Sequence, residues 1–451
     1  MRSSVSPLLT DLYQLNMVQA YLDHGMTDTA VFELFSRKMP PRRGFLMAAG
    51  LEQAVGYLLD GMAFGEDDLA WLERSGRFRP NFLDYLKDFR FTGDVHAMPE
   101  GTVFFADEPV LRITAPLPQA QLVETRLINI LQVQSLVASK AARMVLAAPD
   151  RALVDFGLRR AHGSEAGLYA ARAAYVAGFA GTATVPAEAL FGVPLYGTMA
   201  HAFVQAHDAE TAAFRNFAES RPDSVVLLVD TYDTEAGARK VADLAPELAE
   251  RGIPLKGVRI DSGDLVAHAF RVREILDGAG LTDAGIFASG GLDEDELLRA
   301  YRAGAPIVGF GVGTSLTTSQ DAPALDCAYK LQEYAGQARR KRSESKATWP
   351  GRKQVWRRHD PDGRMAGDTL TTADDGSPGG TPLLEQVVAG GERPAPAPDM
   401  ETVRAHAARQ LAALPESLRA LGTDPVPVRV APALRELAES VDAFVARAAE
   451  K

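Results

Sequence analysis

Between Asp155 and His201 the chain concentrates side chains able to do chemistry. DFGLRRAHGSEAG follows the apolar run ALVDF and places a Phe, two adjacent Arg and a His among glycines. FAGTATVPAEALFGVPLYGTMAHAF then ends on a second His, His201. Such residues in loops between apolar runs mark the floor of a site rather than a core. His201 follows YGTMA, a small-residue setting that leaves an imidazole open at a strand end. A lone His is as readily a packed one, but beside Arg159, Arg160 and phosphate-type loops it reads as a nucleophile or general base. Of the other histidines, His24, His268 and His406 sit in helical stretches beside charged residues, and His359 sits in a basic loop.

Three Gly-rich turns follow strand-like runs: IDSGDL from Ile260, ASGGLDE from Ala288 and FGVGTSL from Phe310. Glycine lets backbone N–H groups approach an anion, and a helix N-terminus adds a favourable dipole. Each turn alone is explained by tight-turn geometry; three in succession point to phosphate. In barrels the loops after the last strands often hold one, and GVGTS stands there. Asp261, at a strand end, can take ribose hydroxyls or a Mg²⁺ that bridges phosphates. Asp264 reads in part as the N-cap of the following helix. Arg259, from the same strand, is a natural bidentate partner for a carboxylate or phosphate.

These residues need elements to hold them. The 451 residues, 46% hydrophobic and 24% charged, call for two or more domains with substantial cores. A helix is expected over residues 5–24, a strand over TAVFELFSRKMP ending at Pro40-Pro41, a second helix from RRGFLMAAGLEQ on, and short strands over 93–114. Residues 1–115 thus read as an α+β N-terminal domain, joined later by about 335–395. From Pro118 to Ala148 the pattern is a long helix. Apolar strand-like runs then begin at Ala152, Thr182, Ser224, Leu255, Gly285 and Ile307, separated by helical segments, so 116–334 read as an α/β barrel of parallel strands carrying the site. A closed or irregular barrel is favoured over an open doubly wound sheet. ADDGSPGGTPLLEQVVAGGERPAPAPD reads as loops around one short strand, and 396–451 as a C-terminal helical segment.

The formal net charge of −11 argues against nucleic acid, whose phosphates select a basic face. No run reaches the ~18 apolar residues of a membrane span, and no signal peptide is seen. With a single cysteine, Cys327, best read as packed, this points to a cytoplasmic protein.

The ordered blocks LLTDLYQLNM, FELFSRKMPPRRGFLMAAGLEQ, DFGLRRAHG, GTMAHAF, RIDSGDL, GFGVGTSL, KATWPGRKQVWR and PLLEQVVAGG resemble the nicotinate phosphoribosyltransferase family along nearly the whole chain. The resemblance implies an irregular α/β barrel of the type II phosphoribosyltransferase kind with a second α+β domain, and homodimers with shared active sites. It implies joining of nicotinate to phosphoribosyl diphosphate with Mg²⁺, giving nicotinate mononucleotide and diphosphate in NAD salvage, with ATP hydrolysed as co-substrate through a phosphohistidine. By the same resemblance His201 is the phosphorylated residue. Tyr13, Thr198, Arg259 and Thr314 match ligand-binding positions, Tyr13 arriving from another subunit. Phe156 and Arg159 match the related nicotinamide-using enzymes, in which the Phe stacks on the pyridine ring and the Arg holds the ring substituent and a nearby phosphate. Asp261, Ser262, Gly263, Gly290, Gly291, Gly311 and Gly313 complete the substrate site, with Asp261 the candidate Mg²⁺ ligand. The basic run supplies Arg342, Lys346, Arg352 and Lys353 as groups that a phosphorylated His201 could reorder, or is a solvated loop.

Two positions depart from the family pattern. Ala183 stands where nicotinamide-using relatives carry an Asp that accepts from the amide, which favours a carboxylate substrate. Gly291 stands where many relatives have Asp, leaving a ribose contact in question. The rivals are a quinolinate or nicotinamide phosphoribosyltransferase, a sugar-phosphate aldolase or isomerase using Lys256, and a non-catalytic sensor of phosphoribosyl diphosphate.

Overall fold

The computed structural model describes residues 6–344 and 346–449. Residues 1–5 of the expected N-terminal domain, Ser345 of the basic run and residues 450–451 of the C-terminal segment lie outside the described residues. The chain divides into two compact units: residues 140–321, and residues up to 139 together with those from 322 on.

The unit of residues 140–321 carries six strands: β1 (Ala152–Asp155), β2 (Gly181–Thr182), β3 (Val225–Leu228), β4 (Leu255–Ile260), β5 (Gly285–Ser289) and β6 (Gly309–Val312). They pair in the order β2-β1-β6-β5-β4-β3, and every pair is parallel. Leu153, Val154, Leu227, Val258, Ile260, Ile286, Phe310 and Val312 are all buried, as expected of strands covered on both faces. The ladder does not close on itself. β2 is two residues long, is prolonged only by a Thr182–Leu195 bridge, and is followed by Pro186 and Pro194, which have no N–H to extend pairing. The barrel is therefore irregular, a curled half-barrel rather than a closed one.

Helices return the chain between strands: α1 (Ser164–Ala177), α2 (Pro186–Phe191), α3 (His201–Gln205), α4 (Glu210–Ser220), α5 (Thr234–Glu250), α6 (Leu265–Gly278), α7 (Glu294–Arg302) and α8 (Thr314–Thr317). An Asp caps each of the helices after β3, β4 and β5. Asp233 accepts from Ala236 N–H, Asp264 from Val266 and Ala267, and Asp293 from Asp295 and Glu296. These caps satisfy orphan N–H groups and fix where each loop ends.

The other unit is built on an antiparallel sheet. Its strands run in the order Gln337–Ala338, Cys327–Tyr334, Thr29–Ser36, Pro109–Pro116, Asp94–Ala97 and Glu385–Val388. A smaller sheet joins Thr381–Pro382, Lys353–His359, Met365–Thr372 and Val428–Val430. The first helix is shorter than its sequence pattern. It spans Leu12–Asp23, because residues from Ser6 to Thr10 are used in turns and the Asp11 carboxylate accepts from Thr125 instead of capping. The segment after Pro41 first makes a two-residue strand, Leu46–Met47, paired with Val103–Phe104, before its helix at Leu51–Gly56. The Gly- and Pro-rich stretch holds two short strands rather than one. Cys327 is packed as expected, and burial pushes its thiol up to about 12.

Lys353, expected in a loop, is instead the first residue of a strand and buried. Its ammonium lies 2.7 Å from Glu33 and also donates to the carbonyls of Trp349 and Gly351. Burial lowers its pKa, and Glu33 opposes that shift. Glu33→Ala is expected to strand this ammonium and lower stability by about 3–5 kcal/mol, read as a lower urea midpoint.

Candidate active site

The loops that leave the C-terminal ends of the half-barrel strands hold most of the residues singled out from sequence. This is where parallel α/β folds bind ligands, since the strand ends and the helix N-termini face one rim. A cleft of about 210 Å³ opens there. Phe156 and Arg159 line it from the loop after β1, Asp261 from β4, Gly290 and Gly291 from β5, and Gly311, Gly313 and Thr314 from β6. Arg160, Ser289, Asp293, Ser315 and Gln320 line it as well.

Two glycines shape this cleft. A Cβ on Gly311 would come within 2.4 Å of the Phe156 ring, so the ring lies against the β6 backbone as a flat shelf. Gly290 has φ +94°, and a Cβ there would stand 2.0 Å from the carbonyl oxygen of Asp261. The turns after β4 and β5 thus touch backbone to backbone, which only glycine permits.

Arg259 stands on β4 next to Asp261, without lining the cleft itself. Its Nη1 donates to Thr198 Oγ1 at 2.7 Å, while its buried Nε has no hydrogen-bond partner. Burial lowers its pKa, Asp261 and Asp230 act in the opposite sense, and Arg159 adds to the lowering. A mostly buried cation with a donor to spare is poised to take an anion.

Asp230, just past β3, organises the next loop. Its Oδ2 accepts from the N–H of Asp261 at 2.8 Å and from Ser262 Oγ at 2.6 Å. Ser289 Oγ donates to Asp261 Oδ1 at 2.5 Å. His201 opens α3. Its Nδ1 lies 3.2 Å from Thr231 Oγ1 and its Nε2 3.8 Å from Asp261 Oδ2, with the side chain 38% exposed. The imidazole is therefore held at one nitrogen and accessible at the other.

Behind the Phe156 shelf, Asp155 accepts from Thr182 Oγ1 at 2.7 Å and from Gly157 N–H at 2.8 Å. Burial raises its pKa and those two donors lower it. Ala183 follows Thr182, exposed, with no acceptor to offer.

Several expected site residues are not among those lining the cleft, Thr198, His201 and Arg259 included. Ser262 gives its hydroxyl to Asp230, and Gly263 packs against His268, whose Nε2 would be 2.7 Å from a Cβ there. Tyr13 belongs to the other unit, on the helix Leu12–Asp23, where it is 46% exposed; burial of its phenol and the Glu124 charge raise its pKa. Lys256 is exposed at the N-terminal end of β4, the wrong end for Schiff-base chemistry at this rim. Of the basic run, Arg342 pairs with Asp442 and Arg352 with Asp374. Asp230, Thr231 and Ser289 were not singled out as ligand-site residues by sequence reasoning. SVVLLVDT carries the same signal as GVRIDS, an apolar run ending in an acid and a hydroxyl, and that pattern would have found the first two.

The donor set suits Mg²⁺. Asp230 Oδ1 is buried without a hydrogen-bond partner, and Asp261 Oδ2 lies 3.8 Å from His201 Nε2. Among the described residues no group of three or more His, Cys, Asp or Glu is arranged as a metal cage. Mg²⁺ commonly needs only one or two carboxylates, with waters and substrate phosphates completing its shell.

Comparison with known proteins agrees with this geometry. Residues 8–132 match the nicotinate phosphoribosyltransferase N-terminal domain, and residues 151–341 the nicotinate phosphoribosyltransferase family. The chain is 49% identical over 421 residues to nicotinate phosphoribosyltransferase pncB2 of Mycobacterium tuberculosis, covering 93% of this chain and 90% of that protein. It is 42% identical over 358 residues to nicotinate phosphoribosyltransferase of Bacillus subtilis, covering 78% and 72%. The crystal structure of human nicotinic acid phosphoribosyltransferase superposes with a TM-score of 0.87 at 29% identity, covering 96% of this chain and all of that one. No helix among the described residues is long and apolar enough to cross a membrane. With its irregular α/β barrel, its rim of phosphate-type turns and these matches, the chain belongs to the nicotinate phosphoribosyltransferase family.

Proposed function

We propose that this chain joins nicotinate to phosphoribosyl diphosphate, forming nicotinate mononucleotide and diphosphate for NAD salvage, and that ATP is hydrolysed through a phosphohistidine at His201. The observation that carries the reading is Arg259, mostly buried, with an unpartnered Nε beside Thr198 at the same rim as the Phe156 shelf. A pyridine carboxylate matches that combination: the ring stacks on Phe156 and the carboxylate meets Arg259 and Arg159. Ala183 leaves no acid to accept from a carboxamide, so the neutral amide gains less.

Displacement at C1 of the ribose passes through an oxocarbenium-like state. Positioning and neutralisation of the leaving diphosphate therefore matter more than a strong base. The N–H groups of the Gly290–Gly291 and Gly313–Thr314 turns are suited to the phosphates, and Asp261, held by Ser289, to the ribose. Mg²⁺, held by Asp261 and Asp230, would neutralise charge on the departing diphosphate.

The His201 chemistry uses a neutral imidazole. Thr231 can accept from Nδ1–H, which leaves the Nε2 lone pair free to attack the γ-phosphorus of ATP. The N–P bond forms as the P–O bond to ADP breaks, and water later hydrolyses the phosphohistidine to phosphate. A phosphorylated His201 carries roughly −1.5 to −2 charge, by analogy with other phosphorylated side chains, and would repel Asp261 unless a cation intervenes. We further propose a dimer in which each copy's Tyr13 serves the other's cleft. Leu9, Leu12 and Tyr13, 51%, 49% and 46% exposed at one helix start, support it.

Assay with nicotinate, nicotinamide and quinolinate, each with phosphoribosyl diphosphate, is expected to give mononucleotide with nicotinate preferred; preference for either other pyridine would sink the assignment. Losing a hydrogen bond to a charged group costs about 1.5–3 kcal/mol, so Arg259→Leu should raise KM for nicotinate roughly tenfold to a hundredfold. Incubation with ATP labelled at the γ-phosphate should leave acid-labile label on His201. His201→Ala should lose the label, the ATP hydrolysis and its stimulation of product formation; survival of all three ends the phosphohistidine role.

A further inference from the structure

Next to the two phosphate-type turns, outside the lining of the cleft, lies a group of four charged side chains to which the reaction gives no role. Lys140 Nζ is 2.5 Å from Glu294 Oε2 and 2.8 Å from Asp321 Oδ1, and Arg143 Nε is 3.3 Å from Glu294 Oε1. The four side chains are only 3–6% exposed, and none of them lines the cleft.

Placing charges there is costly. Each ion loses several kcal/mol of hydration even after relaxation, and apolar residues of equal volume often stabilise a fold as well or better. Stability alone is thus a weak reason for such a cluster, and its positions suggest another. Glu294 is the first residue of α7, next to Asp293 and the Gly290–Gly291 turn. Asp321 ends the turn that follows α8, in which Gln320 N–H returns to the carbonyl of Ser315 and Ser319 takes φ +44°. Lys140 therefore joins the start of α7, which follows the Gly290–Gly291 turn, to the turn beyond α8, the short helix that the Gly313–Thr314 turn opens. On the cleft side the same turns are joined by Ser315 Oγ donating to the carbonyl of Leu292.

We propose that Lys140 is a positioning residue for phosphoribosyl diphosphate: by holding Glu294 and Asp321 together it sets the separation of the Gly290–Gly291 and Gly313–Thr314 turns. The proposal rests on the assignment of phosphoribosyl diphosphate to this cleft. Its ammonium touches no substrate, and its action is on geometry, where about 1 Å of misplacement can cost a hundredfold. The nicotinate contacts at Phe156 and Arg259 come from the loop after β1 and from β4, whereas Glu294 and Asp321 follow the turns after β5 and β6, so the effect is expected on one substrate.

The test compares wild type with Lys140→Met, Lys140→Arg and the double variant Lys140→Met/Glu294→Gln, which removes one charge of each sign and keeps the cluster neutral. The readouts are KM for each substrate, calorimetric affinity for phosphoribosyl diphosphate, and thermal unfolding. In the variants that melt cooperatively, KM and Kd for phosphoribosyl diphosphate should rise about tenfold to a hundredfold with KM for nicotinate unchanged, and Lys140→Arg should recover part of the loss. Unchanged KM for phosphoribosyl diphosphate in the double variant, or equal rises for both substrates, overturns the positioning role. Wild type that binds no phosphoribosyl diphosphate overturns the underlying assignment instead, whatever the variants do.

Discussion

One carboxylate holds the floor of the site together. Asp230 sits just beyond β3 and accepts from both the N–H of Asp261 and the hydroxyl of Ser262, so the loop after β4 is fastened to the strand beside it. Asp261 is thereby turned toward Ser289, and through Ser289 toward the loop after β5. Three successive loops are tied by a short chain of hydrogen bonds in which one N–H and two hydroxyls donate to carboxylate oxygens. Such a chain is stable only where each member is partnered, and the lone pairs left over on Asp230 and Asp261 are the ones a cation would fill.

Around that floor the site works by arranging charge in a poorly hydrated setting. Arg259 is mostly buried, and the nearby Asp230 and Asp261 oppose the lowering of its pKa by burial. Asp155 is buried on the other side of the shelf, and its two donors offset part of the desolvation that raises its pKa. Electrostatic interactions among these buried groups are stronger than in water. Backbone contact does the rest. Gly290 and Gly311 let a neighbouring carbonyl and the Phe156 ring come closer than any side chain would allow, so cleft width and shelf position are set by main chain.

Much of this could be read from residue order alone. Each of the six strands of the half-barrel begins within two residues of an apolar run picked out by pattern, because strands buried on both faces must be continuously apolar. The turns carrying Gly290, Gly291, Gly311 and Gly313 were visible as Gly clusters after those runs. Less visible were the limits of elements whose ends depend on remote partners. Asp11, just ahead of the first helix, serves Thr125, while Lys353 looked like a solvated loop residue and is buried against Glu33. A local pattern cannot reveal a partner more than a hundred positions away.

By itself the sequence determined the alternation of strands and helices, the family, and the residue types of the rim, since these follow from hydrophobic periodicity, glycine placement and ordered motifs. Tertiary structure decided which of those residues face one cleft and which do not. Ser262 and Gly263, inside the same motif as Asp261, are drawn to Asp230 and His268. Thr231, at the end of the SVVLLVDT run, is the partner of His201. It also decided that the ladder stays open at β2 and that Lys140, Glu294 and Asp321 share one buried cluster. The physical reason is common to all of these: direction and desolvation depend on what is packed opposite a side chain, and that is fixed only when distant parts of the chain meet.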